Sequence, residues 1–198
     1  VLTDAVEFIC VHRDRVGSGD LRDKLLEDHW SYMDAFGQTM IARGPLFASD
    51  VDLTSEESDD APAAGSVHVL DLPDAAAARA FAFDEPYYQA GVFRDLLLRR
   101  WRNLLGRTMW QYPGGAEGGR RFLVLGLGVI DAATNTLQTP DDVEDLIAYG
   151  PLLSDDGQTW LGTAALVRAT DAAAALAVLE PGRYEGVEAL AWTFGGRR

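Results

Sequence analysis

Cysteine is nearly missing from this chain: Cys10 is the single one in 198 residues. No disulfide can form within the chain, and no cysteine cluster can hold zinc or an iron–sulfur group. The sequence therefore predicts a reducing, cytoplasmic setting. Positive charge is also scarce, with 17 Lys and Arg against 31 Asp and Glu, a formal net charge of -14. Nucleic acid and anionic membrane surfaces are bound by basic patches that displace counterions, so neither is expected as a partner. No apolar run approaches the ~18 to 20 residues of a membrane-crossing helix. VLTDAVEFICVHR (1–13) lacks the basic start and apolar run of a signal peptide.

Several chemical signatures are absent as well. The three histidines, His12, His29 and His68, have no metal-ligand spacing, and no metal is expected. Gly126-x-Gly128 lacks the third glycine and the long following helix of a dinucleotide site. Neither a G-x-S-x-G elbow nor a Gly-rich loop with Lys occurs, and no redox cofactor is implied. SEESDD (55–60) is too irregular for a calcium loop and reads as solvated.

What the chain does contain is itself, twice. IARGPLF (41–47) returns as IAYGPLL (147–153), and GSVHVLDLPDAAAARAFAF (65–83) returns as GTAALVRATDAAAALAVLE (162–180). The order is kept, which predicts a first unit at 1–104, a linker at 105–120 with YPGGAEGG inside, and a second unit at 121–198.

Within the first unit, AVEFICVH (5–12) is rich in strand formers. A Gly-Ser-Gly-Asp turn follows, with Asp20 placed to cap a helix over 21–42. Gly44-Pro45 closes that helix and opens a short strand, 45–49. The acidic, turn-rich stretch 50–65 reads as a loop. A strand at 66–72, an alanine-rich helix from Pro73-Asp74 to Phe83 and a strand at 93–101 complete a β-α-β-β-α-β order, the ferredoxin-like pattern. The second unit repeats it: strand 121–130, short helix 140–148, strands near 149–153 and 159–168, helix 171–180, strand 187–194. The expected class is α+β, two tandem ferredoxin-like units. Each has helices on one face of its sheet only, so the bare faces cover each other in an intramolecular pseudo-dimer.

The blocks His29-x-x-Tyr32-Met33, ARGPL (42–46) and FDEPYYQAGVF (83–93) resemble the YCII-related family. Its members carry a His in the first helix, a Gly-Pro after it, and a DP-type motif followed by Gly-Val or Gly-Leu. Here that motif reads Asp84-Glu85-Pro86, with the DP interrupted. The resemblance covers nearly all of the first unit and, more faintly, the second. It implies a dimeric α/β barrel and a His-Asp site, in a family of which one relative removes chloride from a chlorinated hydroxyquinol. Related barrels include isomerases, small monooxygenases and heme-binding enzymes, so fold alone does not give function.

On a helix turning about 100° per residue, His29 falls mid-stripe among Leu25, Leu26, Met33 and Phe36. A buried imidazole needs a partner or costs on the order of 1 to 3 kcal/mol. The resemblance nominates Asp84, which would fix the tautomer and leave the other ring nitrogen to move protons. The competing reading is a satisfied core histidine without chemistry. His12 and Arg13, at the exit of the first strand, are candidates for a pocket mouth, against a solvent-exposed strand end. His68 points away from Val67 and Val69, toward what is expected to be the barrel interior, as a ligand contact. Gly44 and Pro45 join these as substrate-contacting candidates through the resemblance. The second unit has no histidine, a shortened first helix, and Glu180-Pro181 as its relic of the motif.

The resulting functional expectation is acid/base chemistry by His29 and Asp84 on a small cyclic or hydroxylated molecule, by elimination, isomerisation or hydrolysis. The alternative is a non-catalytic binding or protein-interaction scaffold. A heme-binding protein would need His29, His12 or His68 as axial ligand. The partner is an unknown small molecule, and the chain stands as a monomeric pseudo-dimer or pairs as a homodimer.

Overall fold

Strand β1 (Val6–Asp14) sends Ile9 and Val11 into one hydrophobic cluster and Phe8 and Cys10 into another. Successive strand side chains point to opposite faces, so this one segment defines an inner and an outer side. The computed structural model describes residues 6–54, 61–115, 118–130 and 137–196. The first half adds β2 (Met40–Phe47), β3 (Gly65–Leu72) and β4 (Phe93–Trp101). The second adds β5 (Arg120–Val129), β6 (Leu146–Leu153), β7 (Trp160–Ala169) and β8 (Tyr184–Trp192). All pair antiparallel and close into one barrel in the order β1-β3-β2-β8-β5-β7-β6-β4. Each half thus supplies a sheet of the same ferredoxin-like order, β4-β1-β3-β2 and β8-β5-β7-β6. The fold is α+β, a dimeric α/β barrel made by one chain.

The halves meet along two short, equivalent seams. Leu46 and Phe47 of β2 pair with Trp192 and Ala191 of β8, and Trp101 and Arg100 of β4 pair with Leu152 and Leu153 of β6. The repeated Gly-Pro motifs lie here. A Cβ on Gly44 would be driven into the Thr193 carbonyl and the Trp192 ring; one on Gly150 would meet the Arg102 carbonyl and the Trp101 ring. Glycine at both positions lets the seam close. The inner cluster runs across both halves, from Ile9, Val11, Val67 and Val69 to Leu123, Leu125, Ile147 and Leu166.

Helices α1 (Gly19–Lys24), α2 (Leu26–Asp34), α3 (Ala75–Phe83) and α4 (Pro86–Gln89) belong to the first half; the second has α5 (Ala172–Leu176). Asp74 caps α3 by accepting from the N–H groups of Ala76 and Ala77, and Asp171 caps α5 through Ala174 N–H, so the repeated Asp-Ala run repeats its chemistry. Ser18, rather than Asp20, is the residue before α1; Asp20 lies in its first turn.

Two expected helices are corrected. The one over 21–42 is broken at Leu25 and ends at Asp34, and Met40–Phe47 is strand. Ile41 and Ala42 are drawn into the barrel interior and the segment pairs with β3, which outweighs its helical periodicity. Gly44-Pro45 consequently sits inside a strand. The helix expected over 140–148 does not form: Leu146, Ile147 and Ala148 are buried in β6 against β7. Helix α4 was not expected at all. SEESDD (55–60) and two residues of the YPGGAEGG linker (116–117) lie outside the described residues.

Candidate active site

The outer face of the first sheet carries Cys10 and His12 on β1 and, directly opposite in register, His68 and Ser66 on β3. This corrects the expected direction of His68. Val67 and Val69 fill the barrel, so His68 points out, under the helices. Helix α2 lies over this face with its polar residues Glu27, Asp28, Ser31 and Asp34 exposed and His29 and Met33 buried. The amphipathic reading of α2 places His29 correctly.

Its partner is not Asp84. Asp84 is exposed, as the C-cap residue of α3, and its side chain makes none of the contacts around His29. The partner is the next residue: His29 Nδ1 donates to Glu85 Oε1 at 2.5 Å. The other carboxylate oxygen accepts from Tyr88 N–H at 2.9 Å, which makes Glu85 the N-cap of α4. Glu85 is 0% exposed. The reason is local geometry. Asp84 keeps helical dihedrals and stays at the surface, whereas Glu85, preceding Pro86, is extended at φ -63 and ψ 132 and turns inward. The sequence held this signal, because a carboxylate directly before proline is what a DP-type motif requires, and Glu85-Pro86 meets it with Glu in place of Asp.

Tyr87 stiffens the pair. Its ring stacks on His29 with centroids 4.3 Å apart and planes 7° from parallel. The guanidinium of Arg22 sits 4.8 Å from the same ring. Arg22 is held by both carboxylate oxygens of Asp14 at 3.0 Å, by Ser66 Oγ at 2.7 Å and by the Gly65 carbonyl at 3.2 Å. Neither Arg22 nor Tyr87 was expected at the site, since each contacts it through residues distant in sequence.

A cavity of about 320 Å³ opens beside His29. His68, Arg43, Gly44 and Pro45 line it, as do Trp30 and Phe194. Phe194, Gly195 and Gly196 come from the second half, and Gly195 N–H donates to the Arg43 carbonyl at 3.1 Å, so the far half supplies one wall. Of the expected substrate contacts, Gly44, Pro45 and His68 reach this cavity.

His12 and Arg13 do not line it. His12 is neither a pocket mouth nor an exposed strand end: it is 0% exposed, stacked on Phe93 at 4.2 Å, with Nε2 3.4 Å from the Ala82 carbonyl. Burial pulls its pKa down to about 4, against the opposing pull of Glu85. Arg13 is engaged elsewhere, with Asp95 at 3.2 Å and with Glu188 of the second half at 2.5 Å. His68 is held well below the ordinary histidine range, first by burial and then by the electrostatic influence of His29, His12, Arg22 and Arg43. Its Nδ1 finds no hydrogen-bond partner among the described residues.

The second half has no counterpart of this site. The repeat and the strand register put Ala165 where the first half has His68, and Gly126 where it has His12. The space over Gly126 is taken by the ring of Tyr184, whose hydroxyl bonds Thr163 Oγ1 at 2.8 Å. Glu180, the relic carboxylate, is exposed and 3.9 Å from Arg183. Among the described residues no three His, Cys, Asp or Glu side chains converge as metal ligands, and no helix is long and apolar enough to cross a membrane.

Residues 6–102 match the family model of the YCII-related domain. No curated protein matches the chain in sequence. Among solved structures, an anthrone oxidase-like protein is similar at 10% identity and a TM-score of 0.50, over 98% of this chain and 94% of that one. A candidate monooxygenase from Fusobacterium nucleatum subsp. nucleatum is similar at 9% identity and a TM-score of 0.50, over 96% and 93%. The 5-chloro-2-hydroxyhydroquinone dehydrochlorinase of Burkholderia phenoliruptrix, solved with 2,5-dihydroxybenzoquinone, aligns at 20% identity and a TM-score of 0.44. That alignment covers 51% of this chain and 98% of that one. At these identities the likeness to the anthrone oxidase-like protein and the candidate monooxygenase is one of fold.

Proposed function

With residues 6–102 a YCII-related domain, we propose that this chain is a small-molecule enzyme working by acid/base chemistry, with His29 as the proton-transfer group and Glu85 as the residue that orients it. One observation carries the reading: a buried carboxylate fixes one nitrogen of an imidazole that lines an open cavity. A carboxylate on Nδ1–H sets the tautomer and stabilises the imidazolium whenever the ring takes a second proton. The remaining nitrogen is then the one that gives or takes protons. A scaffold would have packed this ring shut, whereas here the space beside it fits a small molecule and little more.

Elimination, isomerisation and hydrolysis all need such a group. The experiment is a turnover screen of small cyclic hydroxy and keto compounds with wild type, Glu85→Gln and Asp84→Asn. A positioned acid/base group contributes roughly 100-fold or more. Glu85→Gln should lose about that factor in kcat/KM while Asp84→Asn stays near wild type. A fully active Glu85→Gln, or no turnover by the wild type, would count against the proposal.

A further inference from the structure

We infer that the cavity beside His29 takes a small ring compound bearing a carboxylate, and that Arg43 is the residue that pairs with it. The inference rests on the acid/base reading above and names the substrate class of that site. Arg43 of β2 stands in register with His68 of β3, on the face of the sheet that floors the cavity, and both line it.

The charge of the wall points to an anion. Arg22, Arg43, His29, His68 and Ser66 line the cavity, and among the described residues no aspartate or glutamate does. This runs against the composition of a chain with 31 acidic and 17 basic residues. The carboxylates that balance these groups stand behind the wall: Asp14 holds Arg22, Glu85 holds His29, and Asp34 lies 3.5 Å from Arg43. A ligand therefore meets cationic donors first and carboxylates only at second remove.

Of the two arginines, Arg43 is the one placed to bind. Arg22 is fixed by both oxygens of Asp14, by Ser66 and by the Gly65 carbonyl, so its work is structural. The Asp34 carboxylate beside Arg43 is 43% exposed, against 10% for the Arg43 side chain, which makes that ion pair a water-screened one. A guanidinium presents five N–H donors in a planar fork that matches a carboxylate edge-on, and it serves more than one acceptor at once.

The repeat shows that the fold itself does not ask for this cation. In the second half Tyr149 occupies the place of Arg43 and pairs in the same register with Ala165, at the place of His68. The flat faces of Trp30, Tyr87 and Phe194 line the same cavity, and its volume of about 320 Å³ suits a single ring with its substituents.

The test is a titration of the full chain with benzoate, benzamide and benzylamine, followed by ligand-observed NMR. The three share a ring and differ in charge. Benzoate should saturate, benzamide should bind about 10-fold more weakly or worse, and benzylamine should not bind. Arg43→Gln should lose about 10-fold in benzoate affinity while its affinity for benzamide is kept. Asp34→Asn removes a competing carboxylate at the surface and should tighten benzoate by about 2- to 5-fold, a readout that holds even where Arg43→Gln fails to fold. No saturation by benzoate overturns the inference, as does benzamide or benzylamine binding equally well. So does a benzoate affinity unchanged in folded Arg43→Gln or in Asp34→Asn. Benzoate binding by a chain that turns over nothing in the screen would sink the acid/base reading alone. Turnover of neutral ring compounds by a chain that does not bind benzoate would sink this inference alone.

Discussion

His29 and Glu85, 56 positions apart in the chain, share a 2.5 Å hydrogen bond beneath α4. The same carboxylate caps that helix through Tyr88 N–H, so one buried side chain both finishes the local fold and aims the imidazole. Stability and site geometry are therefore coupled through Glu85.

Removing that carboxylate leaves His29 Nδ1 and the Tyr88 N–H without acceptors. Breaking a buried charge-assisted pair costs about 3 to 5 kcal/mol. Glu85→Ala should fall in that range by urea unfolding, and Glu85→Gln should cost less because its amide oxygen still accepts one bond. Asp84→Asn, at the exposed end of α3, should stay within about 0.5 kcal/mol of wild type. Equal losses at 84 and 85 would contradict the assignment.

The two seams make a paired prediction. Gly44→Ala and Gly150→Ala each force a Cβ against a backbone carbonyl of the opposite half. Overpacking of this kind typically costs about 1 to 3 kcal/mol. Gly186→Ala, on β8 with open space at its Cβ, should stay within about 0.5 kcal/mol. Thermal unfolding of the three variants checks it, and a mild Gly150→Ala beside a severe Gly44→Ala would argue against equivalent seams.

Acid should weaken the fold through its buried histidines. An unfolded histidine binds its proton near pH 6.5, but His12 in the fold does so only near pH 4. Between those values the unfolded chain holds the extra proton, so stability falls as pH falls through the window. For His12 the full loss is on the order of 3 kcal/mol. Glu85 pulls the His12 pKa upward, while His29 and Arg22 push it further down. His68 acts in the same direction as His12. The half-buried carboxyls Glu7, Asp14 and Asp71, whose pKa values are raised by desolvation, act in the opposite sense. The comparison is therefore wild type against His12→Asn, by urea midpoints from pH 7.5 to 4. Their stability difference should change by that amount across the window, and a pH-independent difference would contradict the burial of His12.

Much of this architecture was legible because repetition and alternation are local signals. The Asp-Ala caps and the buried face of α2 follow from patterns within a few residues, and the two-unit order follows from the repeated motifs. What was missed depends on contacts across the chain. The first residues of two strands, Met40–Ala42 and Leu146–Ala148, have helix-compatible sequences, and only pairing inside a closed barrel makes them strand. Arg22 reaches the site by stacking on Tyr87, and Phe194 reaches it from the other half. The error at Asp84 was of another kind. Proline sets the conformation of the residue before it, and reading that rule at Pro86 selects Glu85.

The most direct test of the central claim is the imidazole Nδ1–H signal of His29, observed by proton NMR in a histidine-labelled chain. The account predicts a downfield, exchange-protected resonance that persists in Asp84→Asn and disappears in folded Glu85→Ala, which leaves no acceptor on Nδ1–H. A resonance that survives Glu85→Ala, or that Asp84→Asn removes, would contradict it.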